Sequence, residues 1–155
     1  MLMLVFQSGE DRFALETSRV IEIVPSLDLR QLPHAPDCIA GIFNYRGTIV
    51  PVIDLCHLIQ ERYCERRLST RILLARLGGG NGSSHLVGLR VERLTETLKV
   101  SEVDLVSPGI GVTEAPYLGS IINDAQGMIQ CIQIEHLLPR SLMDLLFQEV
   151  VMEQA

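Results

Sequence analysis

The chain of 155 residues has no tryptophan, a single lysine (Lys99) and an aromatic content of only 5%. A core without large rings must be aliphatic, and the 47% hydrophobic content is carried mainly by Val, Ile and Leu. That length and composition suit one domain or two intimately joined small ones. No stretch approaches the ~18 apolar residues of a membrane span. The apolar start, Met1 to Phe6, lacks a preceding basic region and runs at once into Glu10-Asp11-Arg12, so it reads as a first strand and not as a leader. A cytoplasmic location with no direct membrane insertion is expected. Positive charge is scarce: 13 Lys and Arg against 19 Asp and Glu leave a net charge of -6. Arg62, Arg66 and Arg67 lie close together but interleave with Glu61 and Glu65, as in a solvated connector. A phosphate backbone needs a clustered basic face, so no nucleic acid partner is expected.

The residues for chemistry are equally sparse. Cys38, Cys56, Cys64 and Cys131 contain no CxxC pair and read as reduced thiols, with Cys38 and Cys131 acting as small core hydrophobes. Cys56-His57 with Cys64 comes nearest to a metal set, but His34, His85 and His136 are far away and share no ligand spacing. No metal site and no cofactor is expected. There is no G-x-S-x-G elbow, H-E-x-x-H helix or P-loop, and no catalytic residue is assigned. The stretch from Gly78 to Ser84 is a hairpin loop; no Lys and no helix follow it, so it is not a phosphate cradle. Asp54 stands where a strand ends, and its carboxylate suits the N-cap of a short helix, Leu55–Ile59.

The informative stretch runs from Gly41 to Leu55. It reads as two apolar strands joined by the polar corner Asn44-Tyr45-Arg46-Gly47, where Gly47 can adopt positive φ. Pro51 cannot donate to a ladder, which places it at an edge or a bulge. Arg46 is left at the head of a rigid hairpin, free to meet a partner or to brace the corner by pairing with Glu22 or Asp54. Val20 and Glu22 are open to two readings, as contact residues or as a core Val and a solvated Glu.

Strand signals are short and frequent. The pattern predicts strands near Met3–Ser8, Arg12–Glu16, Glu22–Val24, Asp28–Leu32, Gly41–Tyr45, Thr48–Asp54, Arg71–Leu77, His85–Val91, Glu96–Val100, Tyr117–Asn123 and Met128–Ile132. Many short strands and few helices point to small barrels or a sandwich. The chain also echoes itself. Phe13-Ala14-Leu15 with Glu22 matches Val87-Gly88-Leu89 with Glu96, Gly47-x-Ile49 matches Gly127-x-Ile129, and His57-Leu58-Ile59 matches His136-Leu137-Leu138. Two units of one plan are implied. Beyond Pro139, Ser141 and Asp144 form a cap-like pair ahead of a helix with a broad apolar face. That face either packs on the chain's own barrels or docks to another chain.

The run N-Y-R-G-T-I-V-P-V-I-D-L resembles the N-L-R-G-x-x-x-P-V-x-D-L signature of the CheW family, coupling adaptors of bacterial chemosensory arrays. The resemblance extends from about Met3 to Leu138, through Phe13-Ala14-Leu15, Val20-x-Glu22-Ile23, Leu32-Pro33, Val87-Gly88-Leu89-x-Val91-Glu92, Leu118-Gly119 and Gly127-Met128. Tyr45 replaces the usual Leu, and Glu92 stands where Asp is common. The resemblance implies a mainly β fold: two SH3-like five-stranded β-barrel subdomains on a shared apolar core, with short helices and a C-terminal helix. It implies a single domain over residues 1–140, with intertwined subdomains near 16–68 and 71–132 and terminal segments crossing over, then the helix over 141–155. The implied function is that of a non-catalytic scaffold. Its partners would be the cytoplasmic tip of a chemoreceptor (a methyl-accepting chemotaxis protein) and the regulatory domain of a CheA-type histidine kinase. Residue matching puts Val20, Glu22, Asn44, Arg46 and Gly47 on the receptor side and leaves the kinase contacts unassigned. Phe43-Asn44-Tyr45-Arg46 resembles the variant of surface-sensing or other non-flagellar systems. Two other readings stand beside this one: a stand-alone interaction module outside a receptor–kinase array, and a small enzyme.

Both readings of the terminal helix make one prediction. Truncation after Pro139 should lower the thermal unfolding midpoint or weaken association with a partner. A truncated chain unchanged in both measurements would overturn both.

Overall fold

The computed structural model describes residues 1–65, 67–78, 84–111 and 115–138. Among them the aliphatic runs form eleven strands: β1 (Leu2–Ser8), β2 (Asp11–Glu16), β3 (Val20–Pro25), β4 (Ile39–Tyr45), β5 (Thr48–Asp54), β6 (Arg71–Gly78), β7 (Ser84–Val91), β8 (Glu96–Lys99), β9 (Leu105–Val106), β10 (Leu118–Asp124) and β11 (Gly127–Ile132). One short helix, α1 (Leu55–Gln60), follows β5. The terminal helix and the centre of the glycine-rich loop fall outside the described residues.

The strands form two sheets, ordered β8-β1-β2-β11-β10-β9 and β3-β6-β7-β5-β4. The internal echo explains their likeness. The succession β1-β2-β3-β4-β5-α1 is repeated as β6-β7-β8-β10-β11 and a 3-10 turn at Ile134–His136. Substituting each strand by its counterpart turns one sheet order into the other, with the two-residue β9 as an added sixth strand. Each half therefore gives its leading hairpin to the other half's sheet. The joints are parallel: β5 pairs with β7, and β11 with β2. Sheet membership and chain order therefore differ. β6 and β7 lie in the expected second unit by sequence but in the first sheet by pairing, because their hydrogen-bonding partners are β3 and β5. The first unit is built from Val20 to Val91, and the second from the flanking segments on either side.

The exchange accounts for the continuous apolar runs. A strand buried on both faces need not alternate polar with apolar residues. In β1, Leu4 and Phe6 enter the core shared between the sheets, while Met3 and Val5 enter the core of their own barrel. In β6, Leu73, Ala75 and Leu77 join the shared core and Ile72 the other barrel's core. Phe6 and Phe13 are directly opposed across β1 and β2, with ring centroids 5.7 Å apart.

Two local expectations are refined. Pro51 lies within β5 just before the ladder to β7, which spans Val52 to Asp54, so β5 is an edge over Thr48 to Pro51, the part that holds the proline. Asp28–Leu32 is not a strand. It contributes one bridge, Arg30 with Ile42, because Pro33 ends it and β4 is bulged between Ile39 and Gly41.

Gly88 supplies a test of the packing. A Cβ there would lie 2.8 Å from Ile72 Cγ2 and 3.1 Å from Val52 Cγ2, both on β-branched side chains with little freedom to move. Gly88→Val should destabilise the fold by about 1–3 kcal/mol in urea unfolding.

Candidate partner-binding hairpin

β4 and β5 meet in a two-residue turn, with Tyr45 paired to Thr48. Arg46 has φ 49° and Gly47 φ 89°. Two successive positive φ values define the tight turn whose twist matches antiparallel strands. Gly47 has open space where a Cβ would stand, so conformation and not crowding demands glycine. Asn44 Oδ1 accepts from the Gly47 N–H at 2.8 Å and fastens the corner.

The tip of this hairpin reaches the opposite edge of its own sheet. β3 and β4 are the two edge strands, and the Tyr45 hydroxyl donates to Glu22 Oε2 on β3. Arg46 Nη2 lies 3.7 Å from Glu22 Oε1, and its guanidinium carbon is 5.1 Å from the Tyr45 ring centroid. Hydroxyl, carboxylate and guanidinium thus close the barrel at the seam. The Arg46 side chain nevertheless remains 76% exposed. An arginine retains donors after one ion pair, so bracing the corner and presenting a cation outward are compatible. The bond from Tyr45 to Glu22 holds the phenol above its ordinary pKa, because a nearby carboxylate stabilises the protonated hydroxyl.

Four of the five residues proposed from the sequence therefore gather here: Glu22, Asn44, Arg46 and Gly47. Val20 stands at the start of β3, half-buried against the shared core. Its neighbours Ile21 and Ile23 are the exposed ones, at 51% and 43%. Sequence reasoning missed these two and the clamping role of Tyr45. The signal was an edge strand, Val20–Val24, with apolar residues on both faces. Beside the hairpin, a groove of about 520 Å³ is lined by Ile42, Ile49, Pro51, Arg76 and Leu86, among others. It lies where β5 extends past its ladder with β7.

At the other end of β5, Asp54 caps α1 as expected, accepting from the His57 N–H at 3.0 Å. Its carboxylate also takes the Cys64 N–H at 3.0 Å and Arg90 Nη2 at 2.7 Å. Arg90, and not Arg46, is thus its cationic partner. Asp54, Cys56 and Cys64 each offer a metal-ligand atom within 4.8 Å of the others, but the carboxylate oxygens are already filled and a guanidinium stands beside them. Among the described residues no helix is long and apolar enough to cross a membrane.

Comparison with known proteins covers nearly the whole described fold. Residues 2–141 match the family described as CheW-like domain. The chain is 29% identical over 143 residues to the chemotaxis protein CheW of Treponema pallidum, across 87% of this chain and 80% of that protein. It is 26% identical over 137 residues to the chemotaxis protein CheW of Klebsiella aerogenes, with the same coverage of 87% and 80%. Among solved structures, the scaffolding protein TtCheW from Thermoanaerobacter tengcongensis superposes with a TM-score of 0.76 at 26% identity, over 89% of this chain and 87% of that one.

The seam makes a spectroscopic prediction. Glu22→Gln should lower the Tyr45 phenol pKa toward its ordinary value of 10.0, read by ultraviolet titration as the difference from Tyr45→Phe. The folded pKa is the raised one. The contact therefore contributes stability below about pH 10 and loses it as pH climbs through the raised value.

Proposed function

The chain belongs to the CheW-like domain family, and on that premise we propose that it is a chemotaxis scaffold coupling a chemoreceptor to a CheA-type histidine kinase, with no catalytic step of its own. The exposed Arg46 on a fastened hairpin carries this reading. A guanidinium held in place by Glu22 and the Tyr45 ring loses little freedom on meeting a partner. Ile21, Ile23 and Ile49 supply exposed apolar surface. A cation flanked by apolar patches suits the side of a helical bundle that presents acidic and aliphatic side chains at helical spacing, and a receptor's cytoplasmic tip is a helical surface of this kind in the proposed reading. In this reading Val20, Glu22, Asn44, Arg46 and Gly47 form or support the receptor site. Val20 and Asn44 act by fixing β3 and the turn.

The kinase side is supported by the repeat. A molecule built from two barrels of one strand order offers two related but unequal faces. Such faces suit end-to-end contact with a homologous regulatory domain, the heterologous arrangement that extends into chains or rings. A surface-sensing or other non-flagellar output rests on the Phe43-Asn44-Tyr45-Arg46 corner, where Tyr45 takes the place of Leu. The expected cellular site is the cytoplasm, where receptor tips and kinases of this kind meet.

Arg46→Glu tests the receptor site. Charge reversal should cost about 2 kcal/mol of affinity for a receptor cytoplasmic fragment, roughly thirtyfold by titration calorimetry. The folded state should lose no more than about 1 kcal/mol, since the ion pair to Glu22 is exposed. Unchanged receptor affinity would remove Arg46 from the interface.

A further inference from the structure

Cys56 and Cys64 lie in a part of the fold that the partner-binding reading leaves unused. Cys56 is the second residue of α1 and is wholly buried; Cys64 follows the helix and is nearly so. Their sulfurs stand 2.7 Å apart. That is inside the contact distance of unbonded sulfur atoms and a small step from the ~2.05 Å of a disulfide.

One carboxylate fixes both backbones. Asp54 caps the helix that carries Cys56 and accepts the Cys64 N–H directly. Glu61, at φ 58°, ends the helix in the left-handed conformation and reverses the chain. Glu92, buried on the far side, accepts from the Glu65 N–H at 3.1 Å and stands 3.8 Å from the Cys56 sulfur. The two thiols are therefore held together by groups on both flanks, with little backbone movement between contact and bond. Access is one-sided. A cavity of about 400 Å³ is lined by Cys64 together with Tyr63, Arg90, Gln31 and Ala40, and Cys56 is not part of that lining. A metal ion is the competing occupant, but it would have to displace Arg90 and two N–H groups from Asp54.

We propose that Cys56 and Cys64 are a reversible oxidation site, closing to an intramolecular disulfide when a small peroxide reaches Cys64 through this cavity. In the first step the Cys64 sulfur attacks one peroxide oxygen. The O–O and S–H bonds break, a sulfenic acid forms, and water leaves. In the second, the Cys56 sulfur attacks the sulfur of that sulfenic acid. The S–O bond breaks, and the departing hydroxide takes the Cys56 proton as a second water. Two thiols and one hydrogen peroxide thus give one disulfide and two waters. Before oxidation, the S–H of Cys64 donates to the Cys56 sulfur. This holds the Cys56 thiol below its ordinary pKa and pushes Cys64 up; Cys64 reacts first by its place on the cavity and not by its acidity. Cys131 is no competitor, since it lies in the core of the other barrel and does not line this cavity.

The test uses the full chain, reduced, desalted and exposed to hydrogen peroxide. Trypsin cuts after Arg46, Arg62 and Arg66, so the cysteines fall on peptides 47–62 and 63–66. The oxidised protein should lose two hydrogens in mass, yield these peptides joined in most molecules, and release them with dithiothreitol. Cys64→Ser should abolish the joined product. Cys56→Ser should leave a sulfenic acid at Cys64 that dimedone labels. The proposal is overturned if both cysteines of the oxidised wild-type chain are alkylated after unfolding, or if the link joins Cys38 or Cys131 instead. Stoichiometric binding of added zinc that blocks oxidation until a chelator removes it would equally reject it in favour of a metal site. These outcomes need only the wild-type chain, so a variant that fails to fold leaves the test intact.

Discussion

Asp54 is the joint on which the first barrel turns. Its carboxylate is fully buried and accepts from the guanidinium of β7, from the first turn of α1 and from the segment leading to β6. Three stretches of chain that are distant in sequence are thereby held at the end of β5. The parallel ladder of β5 with β7 ends at the same pair, Asp54 with Arg90. A buried carboxylate is tolerable only when its lone pairs are filled by such partners, and removing one partner from a pair of this kind typically costs about 3–5 kcal/mol. The hairpin bearing Arg46 projects from the other end of β5. Its rigidity therefore begins at this carboxylate, twenty-odd ångströms or so along an extended strand, at about 3.3 Å per residue.

The exchange of leading hairpins sets the rest. Each barrel is completed by strands from the other half of the repeat, so the two barrels cannot separate without breaking parallel ladders in both. The shared core reinforces this: Leu4, Phe6, Phe13 and Leu15 from one sheet pack with Leu73, Val87, Leu89 and Val91 from the other. A scaffold that must hold two faces in a fixed relation gains from such interlocking. Two barrels joined by a linker would move relative to one another by default.

The sequence made the strands legible because their punctuation is strong. Turn residues bracket each apolar run, and ten of the eleven expected strands are observed within a residue or two. The exception, Asp28–Leu32, has a strand's composition but no continuous partner, and pairing is decided by the rest of the fold. For the same reason the sequence disclosed the repeat but not that β6 and β7 cross over, since they read alike whichever sheet receives them. At the hairpin, the turn and its arginine were legible from Asn44-Tyr45-Arg46-Gly47 alone. The partner of Arg46 was not, because Glu22 and Asp54 are both acids at strand positions and only the closure of the barrel chooses between them. The closeness of Cys56 and Cys64 was hidden by spacing that matches no common motif. It depends on the reversal at Glu61 and on Asp54 drawing residue 64 back to the helix.

The two halves also show how one plan is put to unequal use. The β10–β11 corner is the counterpart of the β4–β5 corner, and it too carries a charge at its tip. There the charge is Asp124, which meets Arg12 of β2 through two bonds of 2.6 and 2.9 Å. That guanidinium holds the Asp124 carboxyl down to about 2, so the corner stays ionised and closed across the neutral range. Arg12 is largely buried, whereas Arg46 is mostly exposed. One corner thus spends its charge inside the molecule, with a bidentate partner on a neighbouring strand. The other makes a single longer contact to Glu22 and leaves most of its guanidinium facing outward. A duplicated hairpin with its charge satisfied on one barrel and exposed on the other gives a pseudo-symmetric molecule a direction, as the proposed coupling of different partners requires.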